Sequence, residues 1–150
     1  MAPKTLYLVD GSTYIYRAFF AMPSFTNDEG MPTGAIYGFT NMLLKLVRDE
    51  APDYLAVVFD KSSKTFRNEL YPDYKANRPP TPEDLSPQLP FVRKVTRAMN
   101  VPALETEGFE ADDIIANLAK RAQDEGFRTV VVTSDKDMMQ LVQDDSCSLL

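Results

Sequence analysis

LYLVDGST, residues 6–13, runs from an apolar strand-like stretch into an acid, a glycine and two hydroxyls. The pattern recurs. LAVVFDKS (55–62) ends its apolar run on Asp60, and VVVTSDKDMMQL (130–141) ends on Asp135 and Asp137. GFEADDII (108–115) places Glu110, Asp112 and Asp113 at the start of a helical pattern. Strands alternating with helices imply a parallel sheet with helices on both faces. The carboxyl ends of such strands share one edge, where ligands bind. Asp10, Asp60 and Asp135 sit at carboxyl ends, and the Glu110 cluster opens the helix after the next strand. Seven acids converging on one crevice cannot all stay ionised without positive charge among them. A pair of divalent cations is the natural candidate.

The bulk composition agrees with this. At 150 residues and 44% hydrophobic, the chain has the size and core material of one domain. No apolar run reaches the length of a membrane span, and MAPKTLYLVDG enters a strand with no signal-peptide pattern. One cysteine, Cys147, rules out an internal disulfide and suits a reducing cytosol. The absence of His, with one Cys, excludes zinc sites and His-based catalysis. Any metal is then held by oxygen, which favours Mg²⁺ or Mn²⁺. The net charge of −6 argues at first against a nucleic-acid partner. Of 22 acids, however, seven belong to the clusters, and the other 15 face 16 bases. The acidity is local, and bound metal would offset it.

Along the chain the expected elements are a strand Thr5–Val9, a helix Thr13–Met22 capped by Ser12 or Thr13, and a loop Pro23–Thr33. An amphipathic helix Gly34–Asp49 follows, with Ile36, Phe39, Leu43, Leu46 and Val47 on one face, then a buried strand Leu55–Phe59. Lys61–Pro82 is polar, charged and Pro-rich at its end, and reads as a mobile excursion. Glu83–Met99 is helical, its regular part confined to later turns by Pro87 and Pro90. Val101–Leu104 is a short strand. Glu110–Glu125 is a helix with Ala111, Ile115, Leu118 and Ala122 on one face, closed by Gly126. Thr129–Thr133 is a strand, Asp135–Val142 a short helix, and Cys147–Leu150 a further strand.

Each acid alone has a structural explanation: a turn at Asp10, a loop cap at Asp60, helix-dipole pairing at Glu110, Asp112 and Asp113, an N-cap at Asp135. Together they resist it. Asp10 and Asp60 follow apolar runs, where charge is costly unless paired, and the nearest bases in sequence are Lys61 and Lys136. Two divalent ions about 3.5–4 Å apart are a common device for phosphodiester cleavage and need no His base. The excursion adds Lys61, Lys64, Arg67, Lys75 and Arg78, interleaved with Phe66, Tyr71 and Tyr74. Bases contact phosphates, and aromatic rings stack on unpaired bases; a solvated loop of mixed charge is the alternative, since Glu69 and Asp73 lie there too. After Asp10, Ile15 and Phe19 have core spacing, while Tyr16 and Arg17 are the candidates for an open face.

LVDGSTYIYRAFFAMP, GMPTGAIYGFTNML, VVFDKSSKTFRNELYPDYKANRPP, EGFEADDIIANLA and TSDKDMMQLV together resemble the N-terminal 5′→3′ exonuclease domain of bacterial DNA polymerase I, of the flap endonuclease group with its PIN-like fold. The resemblance spans essentially all 150 residues. It implies a three-layer α/β/α domain with a mainly parallel sheet and an arch-like insertion around 61–82. It implies a Mg²⁺- or Mn²⁺-dependent 5′→3′ exonuclease and flap endonuclease that hydrolyses phosphodiesters at 5′ flaps, nicks and 5′ ends of DNA. Asp10, Asp60, Glu110 and Asp112 would hold a first metal, and Asp113, Asp135 and Asp137 would serve a second. Lys75 and Arg78 match the arch bases that grip the scissile phosphate, and Tyr16 matches the ring that stacks near the cut. Lys64 and Arg67 are further DNA-binding candidates, with Arg17 from the open face.

The family pattern continues beyond residue 150, with more second-metal aspartates and a helix–hairpin–helix element. The expectation is therefore one PIN-like domain over 1–150 without that element, a complete first metal site, an unfinished second one and impaired activity. The sheet would also carry an exposed edge that invites self-association. Ser134 stands where the family more often has Gly. A polymerase domain in the same chain is the expected partner of a fragment, and a bacterial cytoplasmic, nucleoid-associated location follows. Two other readings stand beside this one: a branched-DNA-binding module that does not cut, and a PIN-type ribonuclease. The arch-like insertion argues against the latter.

Overall fold

Side chains in the first strand, β1 (Thr5–Asp10), alternate between two apolar environments, as a strand covered on both faces requires. Tyr7 and Val9 point into one buried cluster, and Leu6 and Leu8 into another. The computed structural model describes residues 3–60, 81–134, 136–142 and 147–150, with backbone alone at 136 and 137. Besides β1 it contains strands β2 (Tyr54–Val58), β3 (Ala103–Leu104), β4 (Arg128–Val132) and β5 (Cys147–Leu149). The helices are α1 (Gly11–Ala21), α2 (Gly34–Glu50), α3 (Leu89–Ala98) and α4 (Ala111–Asp124). Single 3₁₀ segments cover Ser86–Gln88 and Lys136–Leu141.

The sheet order is β3-β2-β1-β4-β5, and every pairing is parallel. The chain builds outward from β1 to β2 and β3, then crosses to β4 on the other side. The carboxyl ends of β1 and β4 thus form a topological switch point, where open α/β sheets leave a crevice. Helices α1, α2 and α3 cover one face through Ile15, Ala18, Phe39, Leu43 and Val92 against Val9, Val57 and Val132. Helix α4 covers the other through Ala111, Ile115 and Ala119 against Leu8, Val58 and Val131. The result is the expected three-layer α/β/α arrangement. Among the described residues no helix is long and apolar enough to cross a membrane.

Several local expectations shift. Helix α1 begins at Gly11, capped by Asp10 rather than by Ser12 or Thr13, because β1 passes into it with no intervening turn. A Cβ at Gly11 would lie 2.7 Å from the Phe59 ring and 2.9 Å from the Val58 carbonyl, so glycine lets α1 start against β2. Gly38 serves similarly where α2 meets α1: a Cβ there would sit 2.9 Å from that of Ala18. On α2, Phe39, Leu43 and Leu46 are buried, but Val47 is 40% exposed. At about 100° per residue, Val47 falls beyond the edge of that stripe. On α4, Leu118 is only partly buried, and Ala119 completes the packed face. Pro87 joins a 3₁₀ turn, and α3 begins beyond it with Pro90 in its first turn. Strand β3 shrinks to two residues at the sheet edge. Pro102 has no N–H to donate, although its carbonyl accepts from Val57 N–H at 2.9 Å. The segment 136–141 is 3₁₀. The excursion expected over Lys61–Pro82 lies, for residues 61–80, outside the described residues.

Candidate active site

Asp10 ends β1 and caps α1, and it is only 5% exposed. Its Oδ2 accepts hydrogen bonds from the Thr13 hydroxyl at 2.8 Å and the Thr133 hydroxyl at 3.0 Å. The carboxylate is thereby tied both to α1 and to the end of β4. Burial pushes the Asp10 carboxyl above its ordinary value of 3.8; the Thr13 and Thr133 bonds pull the other way, and the negative charge of Asp60 adds to the rise.

Asp60 follows β2. Its Oδ2 accepts from Ser12 Oγ at 2.8 Å, and its Oδ1 accepts from the Ala111 N–H at 2.6 Å. The second bond places a carboxylate at the amino end of α4, where backbone N–H groups and the helix dipole favour negative charge. Glu110 caps that helix in a reciprocal capping box with Asp113, whose Oδ2 accepts the Glu110 N–H at 3.1 Å. Asp112 and Asp113 both lie in its first turn.

These elements enclose an open cleft of about 650 Å³, lined by Asp10, Ser12, Thr13, Tyr16, Arg17, Phe20, Ala21, Asp60, Glu110, Asp112 and Ser134. Four of the expected acids, Asp10, Asp60, Glu110 and Asp112, therefore face one space, with Tyr16 and Arg17 on its wall. Asp113 is not on that wall; it caps α4. Asp135, the side chain of Asp137, and Lys64, Arg67, Lys75 and Arg78 lie outside the described residues. Arg17 is the one cation among the described lining residues.

The donor set suits a hard divalent cation: carboxylate and hydroxyl oxygens line the cleft, with no imidazole or thiol. A buried carboxylate beside a second one is also the electrostatic setting that a cation relieves. In the arrangement described, though, no three acids stand close enough together to hold an ion, among the described residues. Oδ2 of Asp10 and both carboxylate oxygens of Asp60 accept from hydroxyls and an amide.

Sequence reasoning overlooked two groups here. The hydroxyls of Thr13 and Thr133, with Ser12, orient the acids; their adjacency in DGST and TSD is a readable signal, since Ser and Thr beside a buried acid are ready donors. Arg93 on α3 donates through Nη2 to the Asp60 carbonyl at 2.7 Å and through Nε to Glu105 at 3.0 Å, and lies over the Phe59 ring at 5.0 Å. No sequence spacing signals that contact, which joins residues 33 apart.

Comparison with known proteins follows the same line. A family model described as 5′-3′ exonuclease, N-terminal resolvase-like domain, matches residues 5–150. The chain is 54% identical over 145 residues to DNA polymerase I of Rhizobium leguminosarum, covering 91% of this chain and 14% of that protein. It is 46% identical over 142 residues to the 5′-3′ exonuclease of Aquifex aeolicus, covering 95% of this chain and 49% of that protein. The chain thus spans half or less of the length of these relatives. Among solved structures, T5 5′-exonuclease with divalent zinc bound superposes with TM-score 0.76 at 23% identity, covering 98% of this chain and 55% of that one. The T5 flap endonuclease pseudo-enzyme–product complex with DNA and metal ions gives TM-score 0.73 at 22% identity, covering 98% and 54%. At those identities the likeness bears on the fold.

Proposed function

Because the chain belongs to the family of 5′-3′ exonuclease N-terminal, resolvase-like domains, we propose that its cleft is the cutting centre of a divalent-metal-dependent nuclease acting on 5′ flaps, nicks and 5′ ends of DNA. The observation that carries this reading is the convergence of Asp10, Asp60, Glu110 and Asp112, from three separate parts of the sequence, on one cleft at the strand ends. Mg²⁺ or Mn²⁺ suits these oxygen donors. Asp10, Asp60, Glu110 and Asp112 would hold a first ion; Asp113, Asp135 and Asp137 would serve a second, which needs Asp113 to leave its cap. When bound, such ions supply positive charge against the phosphate and lower the pKa of a bound water.

The remaining work falls to the chain's own groups. Thr13 and Thr133 hold the Asp10 carboxylate toward the cleft, and Ser12 does the same for Asp60. Arg17 offers a charge-assisted contact to phosphate at the wall. Tyr16 stacks on an unpaired base beside the cut, Lys75 and Arg78 grip the scissile phosphate, and Lys64 and Arg67 contact the DNA backbone. The relatives' additional length would supply further duplex contacts and, in DNA polymerase I, a polymerase domain in the same chain. A bacterial cytoplasmic location at the nucleoid follows from that work.

A second reading is a module that binds branched DNA without cutting. A 5′-flap cleavage assay with Mg²⁺ or Mn²⁺, run beside a binding titration, separates the two. Cutting that Asp10→Ala abolishes, with binding and fold retained, is the expected result. Equal turnover by wild type and Asp10→Ala would sink the nuclease reading, and binding without turnover leaves the passive module.

A further inference from the structure

Phe20 is 74% exposed, the highest value among the large exposed hydrophobic residues described, and it lies on the wall of the acidic cleft. Its neighbour Phe19 turns inward and packs against the core. Nothing in the packing of α1 therefore requires a second aromatic ring outside. The ring is nevertheless held in place. It meets Phe19 edge-on at 5.2 Å and 74°, and it lies nearly parallel to Tyr16, with centroids 6.3 Å apart and planes 27° from each other. Tyr16 and Phe20 are one helical turn apart on the face that also carries Ser12, Thr13 and Arg17. Their Cα atoms rise about 6 Å along the axis, away from the Asp10 end of the helix. Two nearly parallel rings, with the Arg17 guanidinium on the same cleft wall, suit a flat π-system carrying phosphate, and the four acids beside them disfavour an anionic partner without metal.

Building on the nucleic-acid reading above, we propose that Phe20 is the outer half of a two-ring platform, stacking an unpaired nucleobase one position farther from the cut than the base on Tyr16. Every base offers a π-face, so the platform distinguishes unpaired from paired DNA rather than one sequence from another.

The test is a binding titration of the chain with fluorescent 5′-flap DNA in Ca²⁺, using arms in which single unpaired nucleotides are made abasic. Of two neighbouring abasic positions, for the bases on Tyr16 and on Phe20, the one farther from the cut weakens wild-type binding by about 10-fold, the scale of one base–aromatic stack. Phe20→Leu produces the same loss on intact DNA and no further loss at that abasic position, while Phe20→Tyr restores the wild-type pattern. Phe20→Leu that binds intact and abasic DNA in the wild-type ratio overturns the platform, even if flap cleavage proceeds. An equal drop on all substrates overturns it too, as a general folding or affinity effect. A wild type that binds none of the flap DNAs overturns both the platform and the reading beneath it.

Discussion

Asp10 concentrates the tension of this site in one residue. Its carboxyl is 5% exposed, held by two hydroxyls and raised above 3.8 by burial. For an acid whose folded pKa is raised, the folded state binds the proton more tightly than the unfolded chain. Its contribution to stability is therefore greatest below 3.8 and declines as pH rises from there through the folded value. Without metal, Asp10→Asn should thus gain stability relative to wild type as pH rises, while abolishing cleavage. Urea midpoints of both proteins between pH 3 and pH 7, in EDTA, measure this; a wild type that gains on the variant with rising pH contradicts it. The acid itself was legible in LYLVDGST. So was its place near the core, after an apolar run; its Thr133 partner was not, because that hydroxyl lies 123 residues away.

At the scale of elements, α3 and α4 both act on the end of β2. Helix α4 reaches it through the Ala111 N–H on Asp60, and α3 through Arg93 on the Asp60 carbonyl, with Glu105 as the counter-charge. Both Arg93 and Glu105 are about one-fifth exposed in the side chain, so the pair is partly screened, but the bond to the Asp60 carbonyl is short and charge-assisted. Arg93→Ala should cost about 1–3 kcal/mol of stability and lower kcat on flap DNA by loosening Asp60. Denaturant unfolding with steady-state kinetics tests this, and unchanged kcat in the folded variant would show that Asp60 needs no such hold. Element types and most boundaries were readable within a few residues from periodicity: β1, α2, α4 and β4 lie where the apolar pattern placed them. The misses have local causes. Asp10 caps α1 because Gly11 allows strand and helix to join directly, and β3 is curtailed by Pro102 at the edge.

For the whole molecule, the crossover from β3 to β4 sets β4 beside β1 and opens the cleft between their ends. If that cleft takes divalent metal, folding and binding are linked: an ion that binds the folded state alone adds about 2.7 kcal/mol at a concentration 100 times its Kd. Mn²⁺ should therefore raise the thermal midpoint of this chain in a concentration-dependent way, and Asp60→Asn and Glu110→Gln should each flatten the response. A shift of equal size in wild type and both variants would place the bound ion elsewhere.

The amino-acid order was sufficient for an α/β chain with strand-end acids and for the family resemblance, because each rests on local pattern or residue type. The resemblance had grouped four of those acids, but only the tertiary structure shows how they are held. Asp10, Asp60, Glu110 and Asp112 line the cleft, whereas Asp113, one residue from Asp112, turns back to cap α4. It also decided that Phe20 stands in the open beside Tyr16. Strand order, helix rotation and the contact of α4 with Asp60 are long-range outcomes of packing, and no window of sequence contains both partners.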